Sequence, residues 1–187
     1  MRIVGGRFRG SALAGPPAGS MAIRPTSDRL RESLFNILEH GQTRVLDGAR
    51  VIDLFAGTGA LGFEAMSRGA KACLFVEEAA EARGLIRHNQ ESLGLTGTTR
   101  LFRRDATRMG PVGTAEPYTL AFLDPPYGKG LAEPALASLA AGGWLAPGAV
   151  VVVEETAKAE IGWPEGFSVT DRRDYGETAV HFARFAV

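Results

Sequence analysis

The sequence is short of cysteine, histidine, long apolar runs and charge of one sign, and each shortage excludes something. One cysteine, Cys73, in 187 residues cannot close an internal disulfide, which fits a reducing, cytoplasmic compartment. Cys73 sits in the apolar run KACLFV and reads as a packing residue. His40, His88 and His181 are scattered, without the Cys/His spacing of a zinc site, so no metal is expected. No apolar stretch reaches transmembrane length. The opening MRIVGGRFRG lacks the apolar core of a secretory signal, and no membrane association is expected. The nucleophile-elbow pattern GxSxG is absent. Lys and Arg, 21 in all, balance 21 Asp and Glu, so overall charge does not speak for nucleic acid.

What is present describes one ordinary domain with a sizeable core, 45% apolar and 22% charged. Charge is unevenly spread: up to Arg31, Arg2, Arg7, Arg9, Arg24, Arg29 and Arg31 face only Asp28, a patch suited to phosphate. RIVGGRFRGSAL reads as a short hairpin or arm turning at Gly5 and Gly6, and GPPAGS as a linker. In SDRLRESLFNILEHG, Leu30, Leu34, Ile37 and Leu38 share one face of an amphipathic helix that stops at Gly41. These observations divide the chain into an N-terminal basic arm and linker, 1–23, and a larger domain, 24–187, made of a leading helix, 24–41, and a core, 50–187.

From Arg50 onward strand and helix patterns alternate. RVIDLF, KACLFVE, TRLFRRD, YTLAFLD and AVVVVEE read as strands. ALGFEAMSRG, the segment from about Ala79 to Leu93, and LAEPALASLA read as the helices between them. Such alternation predicts a parallel sheet covered on both faces. The tail, FSVTDRRDYG and ETAVHFARF, reads as an antiparallel hairpin turning near Gly176. The expected fold is therefore α/β, a doubly wound sheet with an antiparallel end.

VIDLFAGTGALG sets Gly57, Gly59 and Gly62 between a strand and a helix. Gly57 and Gly59 permit positive φ and close approach to a ligand, and the spacing is also that of the dinucleotide fingerprint. Asp53, just ahead of the loop, would repel a pyrophosphate and suit a cation such as an amino-acid ammonium group. Glu77, ending the second strand, suits ribose hydroxyls, which NAD and S-adenosylmethionine both carry. Asp53, Glu77, Asp105 and Asp124 all close strands, and in open parallel sheets ligands bind at the carboxyl ends of strands.

The stretch FLDPPYGKG (Phe122 to Gly130) ends a buried strand in an acid, two prolines and an aromatic. A base's exocyclic amine is a poor nucleophile because its lone pair is delocalised into the ring. The Asp124 carboxylate and the Pro125 carbonyl, held by proline's fixed φ, could accept its two hydrogens and draw the nitrogen towards tetrahedral geometry. Tyr127 offers a stacking face worth about 1–3 kcal/mol, and Lys129 could meet a phosphate. Such a site works by positioning and electrostatics.

With these residues in hand, the sequence resembles the RsmD family, the 16S rRNA guanine-N2 methyltransferases. IVGGRFRG (Ile3 to Gly10), RPTSDRLRESLFNIL (Arg24 to Leu38), DLFAGTGALGFEAMSRGA (Asp53 to Ala70), DPPY (Asp124 to Tyr127) and the tail DYGETAVHF carry the resemblance. It implies a Rossmann-like class I S-adenosylmethionine-dependent methyltransferase fold, a mostly parallel seven-stranded sheet with the C-terminal hairpin antiparallel. It also implies S-adenosylmethionine as methyl donor, S-adenosylhomocysteine as product, and a guanine of 16S rRNA in an assembled or late-assembling small ribosomal subunit as acceptor. Asp53, Gly57 and Gly59 would then hold the methionine end, Glu77 (or Glu78) the ribose and Asp105 the adenine amino group, with Phe55 and Ala106 also among the cofactor-binding residues. Asp124, Pro125 and Tyr127 would hold the guanine, with Pro126 beside them in the catalytic turn. Ala79 and Ala80 stand where related sequences often carry another acid, which puts the capping of the following helix in question. Arg7, Arg9, Arg24, Arg29 and Lys129 become candidates for RNA phosphates, and a monomer is expected.

Three other readings remain open on sequence. A DNA adenine-N6 or cytosine-N4 methyltransferase shares the DPPY chemistry but lacks a visible target-recognition insertion. An NAD-dependent oxidoreductase rests on the glycine spacing and leaves DPPY unexplained. A non-catalytic RNA-binding module would have no need of the intact motifs.

Overall fold

The computed structural model describes residues 1–20, 23, 26–41 and 44–186. Arg24 lies outside the described residues. Helix α1 (Asp28–His40) is followed by β1 (Arg50–Leu54), α2 (Ala60–Ser67), β2 (Ala72–Val76), α3 (Ala80–Ser92) and β3 (Thr99–Phe102). Then come β4 (Tyr118–Leu123), α4 (Ala132–Ala141), β5 (Leu145–Thr156), β6 (Phe167–Tyr175) and β7 (Thr178–Phe185).

The seven strands form one sheet in the order β3-β2-β1-β4-β5-β7-β6. β3, β2, β1, β4 and β5 are mutually parallel. β7 runs antiparallel to β5 and to β6, so the tail is the expected hairpin, closed by the two-residue turn Gly176–Glu177 between the paired Tyr175 and Thr178. The order reverses between β1 and β4, which places the fold's switch point, and with it a ligand crevice, at the carboxyl ends of those strands.

Strand periodicity sorts the core into two layers. Val51, Cys73, Phe75, Leu120 and Phe122 meet α1, α2 and α3 through Phe35, Leu38, Phe63, Met66 and Ile86. Ile52, Leu54, Leu74, Ala121 and Leu123 face the opposite side, where Met109, Leu136, Leu139 and Trp144 cover them. Burial on both faces is why β4 and β5 read as unbroken apolar runs.

In α1 the Ser27 side chain caps the helix by accepting from Leu30 N. Its buried face is Arg31, Leu34, Phe35 and Leu38, while Leu30 and Ile37 are half-buried. The face is thus rotated from the expected one. Phe35 packs on Phe122, ring centroids 5.5 Å apart, and Arg31 turns inward to an acid of α2, while Leu30 and Ile37 pack at the edge of the core. Arg31 therefore leaves the expected arginine patch.

β3 also ends sooner than expected, at Phe102. Arg103, Arg104 and Asp105 leave the sheet, because this edge strand has a partner only in β2. β5 begins sooner than expected, at Leu145, with Leu145 beside Tyr118 of β4.

The N-terminal arm is tied by the antiparallel bridge Arg2–Ala12, and Ile3 and Leu13 are buried. The reversal lies further along than expected: Gly10 N–H bonds back to the Ile3 carbonyl across residues 6–10. Gly5 and Gly6 instead press against α2. A β-carbon on Gly6 would stand 2.0 Å from the Ser67 carbonyl oxygen. The Glu64 carboxylate accepts from Val4 N and Gly5 N, both at 3.0 Å. Ser67 Oγ donates to the Gly5 carbonyl at 2.6 Å, and Asn89 Oδ1 accepts from Ala14 N at 2.7 Å. The arm is therefore docked on α2 and α3 along its length.

Candidate active site

A cavity of about 660 Å³ opens at the carboxyl ends of β1, β2 and β4, walled also by the loop after β3. Its size is that of a small-molecule site. Asp53, Phe55, Gly57, Glu77, Asp105, Asp124, Pro125, Pro126 and Tyr127 all line it, so one crevice brings together the glycine loop, the strand-end acids and the DPPY turn. Gly59 and Ala106 are off its wall. Gly59 caps α2 in a left-handed conformation, and a β-carbon there would lie 2.6 Å from the Phe63 ring. Ala106 is buried in the α4-side core, and its neighbour Thr107 lines the cavity instead.

Asp53 is 1% exposed. Its Oδ2 accepts from Gly62 N at 3.0 Å, so it fastens the start of α2 while bordering the cavity. Burial pushes its pKa well above the ordinary carboxylate value, with the Gly62 N–H opposing and the Glu77 charge adding to the rise. A cationic ligand beside a buried acid so placed would recover much of the desolvation cost of the charged form.

Phe55 has a φ of 56°, in the left-handed region, a conformation that costs a non-glycine residue about 1–3 kcal/mol. Gly57, at φ 59°, donates its N–H to Glu77 Oε1 at 2.8 Å, and Ala79 N donates to Glu77 Oε2 at 3.0 Å. Glu77 thus holds the glycine loop and the first turn of α3 together. The same contact serves the start of α3, where Ala79 offers no side-chain cap. An ionised carboxylate has about four acceptor sites, so each Glu77 oxygen retains capacity for a ligand hydroxyl. Glu78 also lines the cavity.

Asp105 Oδ1 accepts from Thr107 N at 2.8 Å and Thr107 Oγ1 at 2.7 Å. The Thr107 hydroxyl, then its backbone N–H, hold the Asp105 carboxyl below its ordinary range. This side chain stays ionised and pre-oriented, ready to accept from an amino group.

In the DPPY turn Pro125 is buried, Pro126 exposed and Tyr127 half-buried. The Tyr127 hydroxyl donates to Glu154 Oε1 at 2.9 Å and lies 2.8 Å from Thr178 Oγ1. Thr26 Oγ1 reaches Asp124 Oδ2 at 3.2 Å and Glu154 Oε2 at 3.3 Å. Gly128 N donates to Glu155 Oε1 at 3.2 Å. Thr26, Glu154 and Glu155 are not among the residues expected from sequence. The signal was available for the acids: they close β5 as Asp124 closes β4. Thr26 comes from the segment ahead of α1, whose proximity to the turn no local pattern announces.

Of the candidate phosphate contacts, Arg7, Arg9, Arg29 and Lys129 are exposed and none lines the cavity. Arg7 lies over the Phe8 ring, 4.5 Å from its centroid. Among the described residues no cluster of His, Cys, Asp and Glu could hold a metal, and no helix is long and apolar enough to cross a membrane.

Known proteins resemble this chain in sequence and fold. Residues 1–184 match the family model described as Conserved hypothetical protein 95. The chain is 39% identical over 166 residues to ribosomal RNA small subunit methyltransferase D of Escherichia coli K12, covering 88% of this chain and 78% of that one. The solved structure of the Escherichia coli protein yhhF superposes with a TM-score of 0.84 at 30% identity, over 100% of this chain and 98% of that one. An RNA methyltransferase of Salinibacter ruber, solved with S-adenosyl-L-homocysteine, has the same fold at 16% identity and a TM-score of 0.65, over 87% of this chain and 94% of that one. A Rossmann-like sheet ending in an antiparallel hairpin, a match along nearly the whole chain and close identity to one member together show that the chain belongs to the Conserved hypothetical protein 95 family, the RsmD family of methyltransferases.

Proposed function

We propose that the protein transfers a methyl group from S-adenosylmethionine to the exocyclic N2 amine of a guanine in 16S rRNA. The observation that carries this reading is the placement of Asp124, Pro125 and Tyr127 on the same cavity wall as Asp53, Glu77 and Asp105. One crevice then has a half for the cofactor and a half for an amine-bearing base. The residues fit the cofactor: Asp53 suits its ammonium group, Glu77 its ribose hydroxyls, and the pre-oriented Asp105 its adenine amine. Bound there, S-adenosylmethionine supplies an electrophilic methyl group.

The protein's own part is to hold the nucleophile. Asp124 and the Pro125 carbonyl accept the amine hydrogens, which localises the nitrogen lone pair, and Asp124 takes up the proton the amine sheds once it is methylated. Tyr127 stacks on the base. Support for RNA comes from the Escherichia coli relative, whose name is that of a ribosomal RNA small subunit methyltransferase, and from the exposed Arg7, Arg9 and Arg29. The reading includes an assembled or late-assembling small subunit as substrate, a monomeric enzyme and a cytoplasmic location.

The test is methyl transfer from labelled S-adenosylmethionine to small ribosomal particles lacking the modification, their naked RNA, and duplex DNA. Label in RNA supports the reading. Label in DNA alone makes the protein a DNA amino-methyltransferase, and tight binding of NAD without S-adenosylmethionine binding would overturn the cofactor.

A further inference from the structure

We propose that Thr26 and Glu154 are positioning residues that hold Asp124 and Tyr127 through one continuous hydrogen-bond chain. The inference rests on the reading above, in which Asp124 and Tyr127 receive the target base.

Proton counting sets the direction of the chain. The Tyr127 hydroxyl donates to Glu154 Oε1 at 2.9 Å. Its one proton is thereby used, so it accepts from Thr178 Oγ1 at 2.8 Å. Glu154, acceptor-only when ionised, faces the Thr26 hydroxyl through its other oxygen at 3.3 Å. The single proton of Thr26 lies between that oxygen and Asp124 Oδ2 at 3.2 Å. The sequence of contacts is thus Thr178 to Tyr127 to Glu154, with Thr26 bridging Glu154 and Asp124.

Two consequences follow for the base site. A phenol hydroxyl held at two points fixes the long axis of its ring, and with it where the stacking face stands in the cavity. The Thr26 hydroxyl at Oδ2 narrows the orientations open to the Asp124 carboxylate before any amine arrives. Both effects are pre-organisation, which spares the ordering cost at the moment of reaction. Thr26 is 7% exposed and Glu154 5%, so these contacts lie where water competes poorly and polar interactions are strengthened.

The partners come from separate parts of the chain: Thr26 precedes α1, Glu154 lies on β5, and Thr178 opens β7. The lead-in segment and the C-terminal hairpin are thereby parts of the base site. An acid at position 154 is a costly way to fill a buried site, and holding Tyr127 and Thr26 is what it does there.

The experiment compares Thr26→Val, Thr26→Ser, Glu154→Leu, Tyr127→Phe and the double variant Glu154→Leu/Tyr127→Phe. Each is measured for kcat, KM for RNA, S-adenosylmethionine affinity and melting temperature. Thr26→Val is expected to lower kcat about ten- to a hundredfold, the range for hydrogen bonds to charged groups, with cofactor affinity within about twofold. Thr26→Ser, which keeps the hydroxyl, restores kcat to within about threefold of wild type on the same reasoning. Glu154→Leu, which removes both acceptors, and Tyr127→Phe each slow turnover, and the double variant is little slower than Glu154→Leu, as expected if the Tyr127 hydroxyl acts through Glu154.

Wild-type kcat in Thr26→Val would overturn the proposal, as would Thr26→Ser as slow as Thr26→Val with a normal melting temperature. Losses that multiply in the double variant would overturn it as well. Should Thr26→Val fail to fold, the Glu154/Tyr127 pair decides alone. A wild-type protein that methylates no amine would overturn the underlying reading, whereas a wild-type protein that does so, with insensitive variants, overturns only the positioning roles.

Discussion

Replacing Glu64 with alanine should both destabilise the protein and release its basic arm. The Glu64 side chain is fully buried and lies 3.0 Å from Arg68 Nε and 3.3 Å from Arg31 Nε. Their side chains are 3% and 0% exposed. The Arg31 contact is an ion pair outside hydrogen-bond geometry, and Arg31 Nη1 has no hydrogen-bond partner among the described residues. The carboxylate is the buried charge between the two guanidiniums, whose other acids, Asp28 at 2.6 Å from Arg31 Nη2 and Glu39 at 3.0 Å from Arg68 Nη1, lie nearer the surface. The same carboxylate receives Val4 N and Gly5 N. Removing one partner of a buried ion pair costs about 3–5 kcal/mol because the other charge is left behind. In a domain of this size each kcal/mol moves the melting temperature by about 2–4 °C, giving a fall of about 6–20 °C. Calorimetry measures that fall, and amide hydrogen exchange at Val4, Gly5 and Arg7 reports the arm. A shift under about 3 °C with unchanged exchange would show this role of Glu64 to be wrong, since it would mean that Asp28 and Glu39 suffice for Arg31 and Arg68.

Asp53→Asn separates stability from binding. Asparagine keeps an acceptor for Gly62 N and removes a buried charge. Because the folded-state pKa of Asp53 is raised, its favourable contribution is complete below the ordinary carboxylate range and is lost as pH rises through the raised value. The variant should melt above wild type at neutral and alkaline pH, the gap closing in acid, while S-adenosylmethionine binding weakens; equal melting at all pH values contradicts this. Gly6→Ala places a β-carbon 2.0 Å from the Ser67 carbonyl oxygen, so limited proteolysis should cut the arm faster than in wild type, and equal rates would mean that the arm shifts freely. Arg7→Ala/Arg9→Ala should weaken RNA binding and reduce the slope of log affinity against log salt by up to about 2, roughly one for each phosphate no longer neutralised, with cofactor affinity unchanged. An unaltered slope would remove these residues from the RNA-binding surface.

Much of this architecture was legible because burial on two faces and regular alternation leave strong marks on sequence. The five parallel strands, the hairpin tail and the gathering of Asp53, Glu77, Asp105 and Asp124 at one rim followed from local patterns. What was not legible depends on contacts between distant segments. The inward turn of Arg31 needs Glu64, two elements away, and nothing about an arginine on an amphipathic helix distinguishes a buried one from a solvated one. The bridge from Thr26 to Asp124 spans 98 positions. Gly59 fits a ligand-loop pattern by spacing, yet its α-carbon faces Phe63, a matter of helix packing that spacing alone does not express.

Whether this cavity methylates a guanine amine gripped by Asp124 is decided by one comparison. Wild-type protein and Asp124→Ala are incubated with labelled S-adenosylmethionine and unmodified small ribosomal particles, the RNA is digested, and the labelled nucleoside is identified. The wild type should yield N2-methylguanosine. Asp124→Ala should lose at least about a hundredfold in rate, consistent with removing a group that stabilises the transition state, with cofactor binding retained. Label in any other nucleoside, or undiminished transfer by Asp124→Ala, would contradict the proposed reaction.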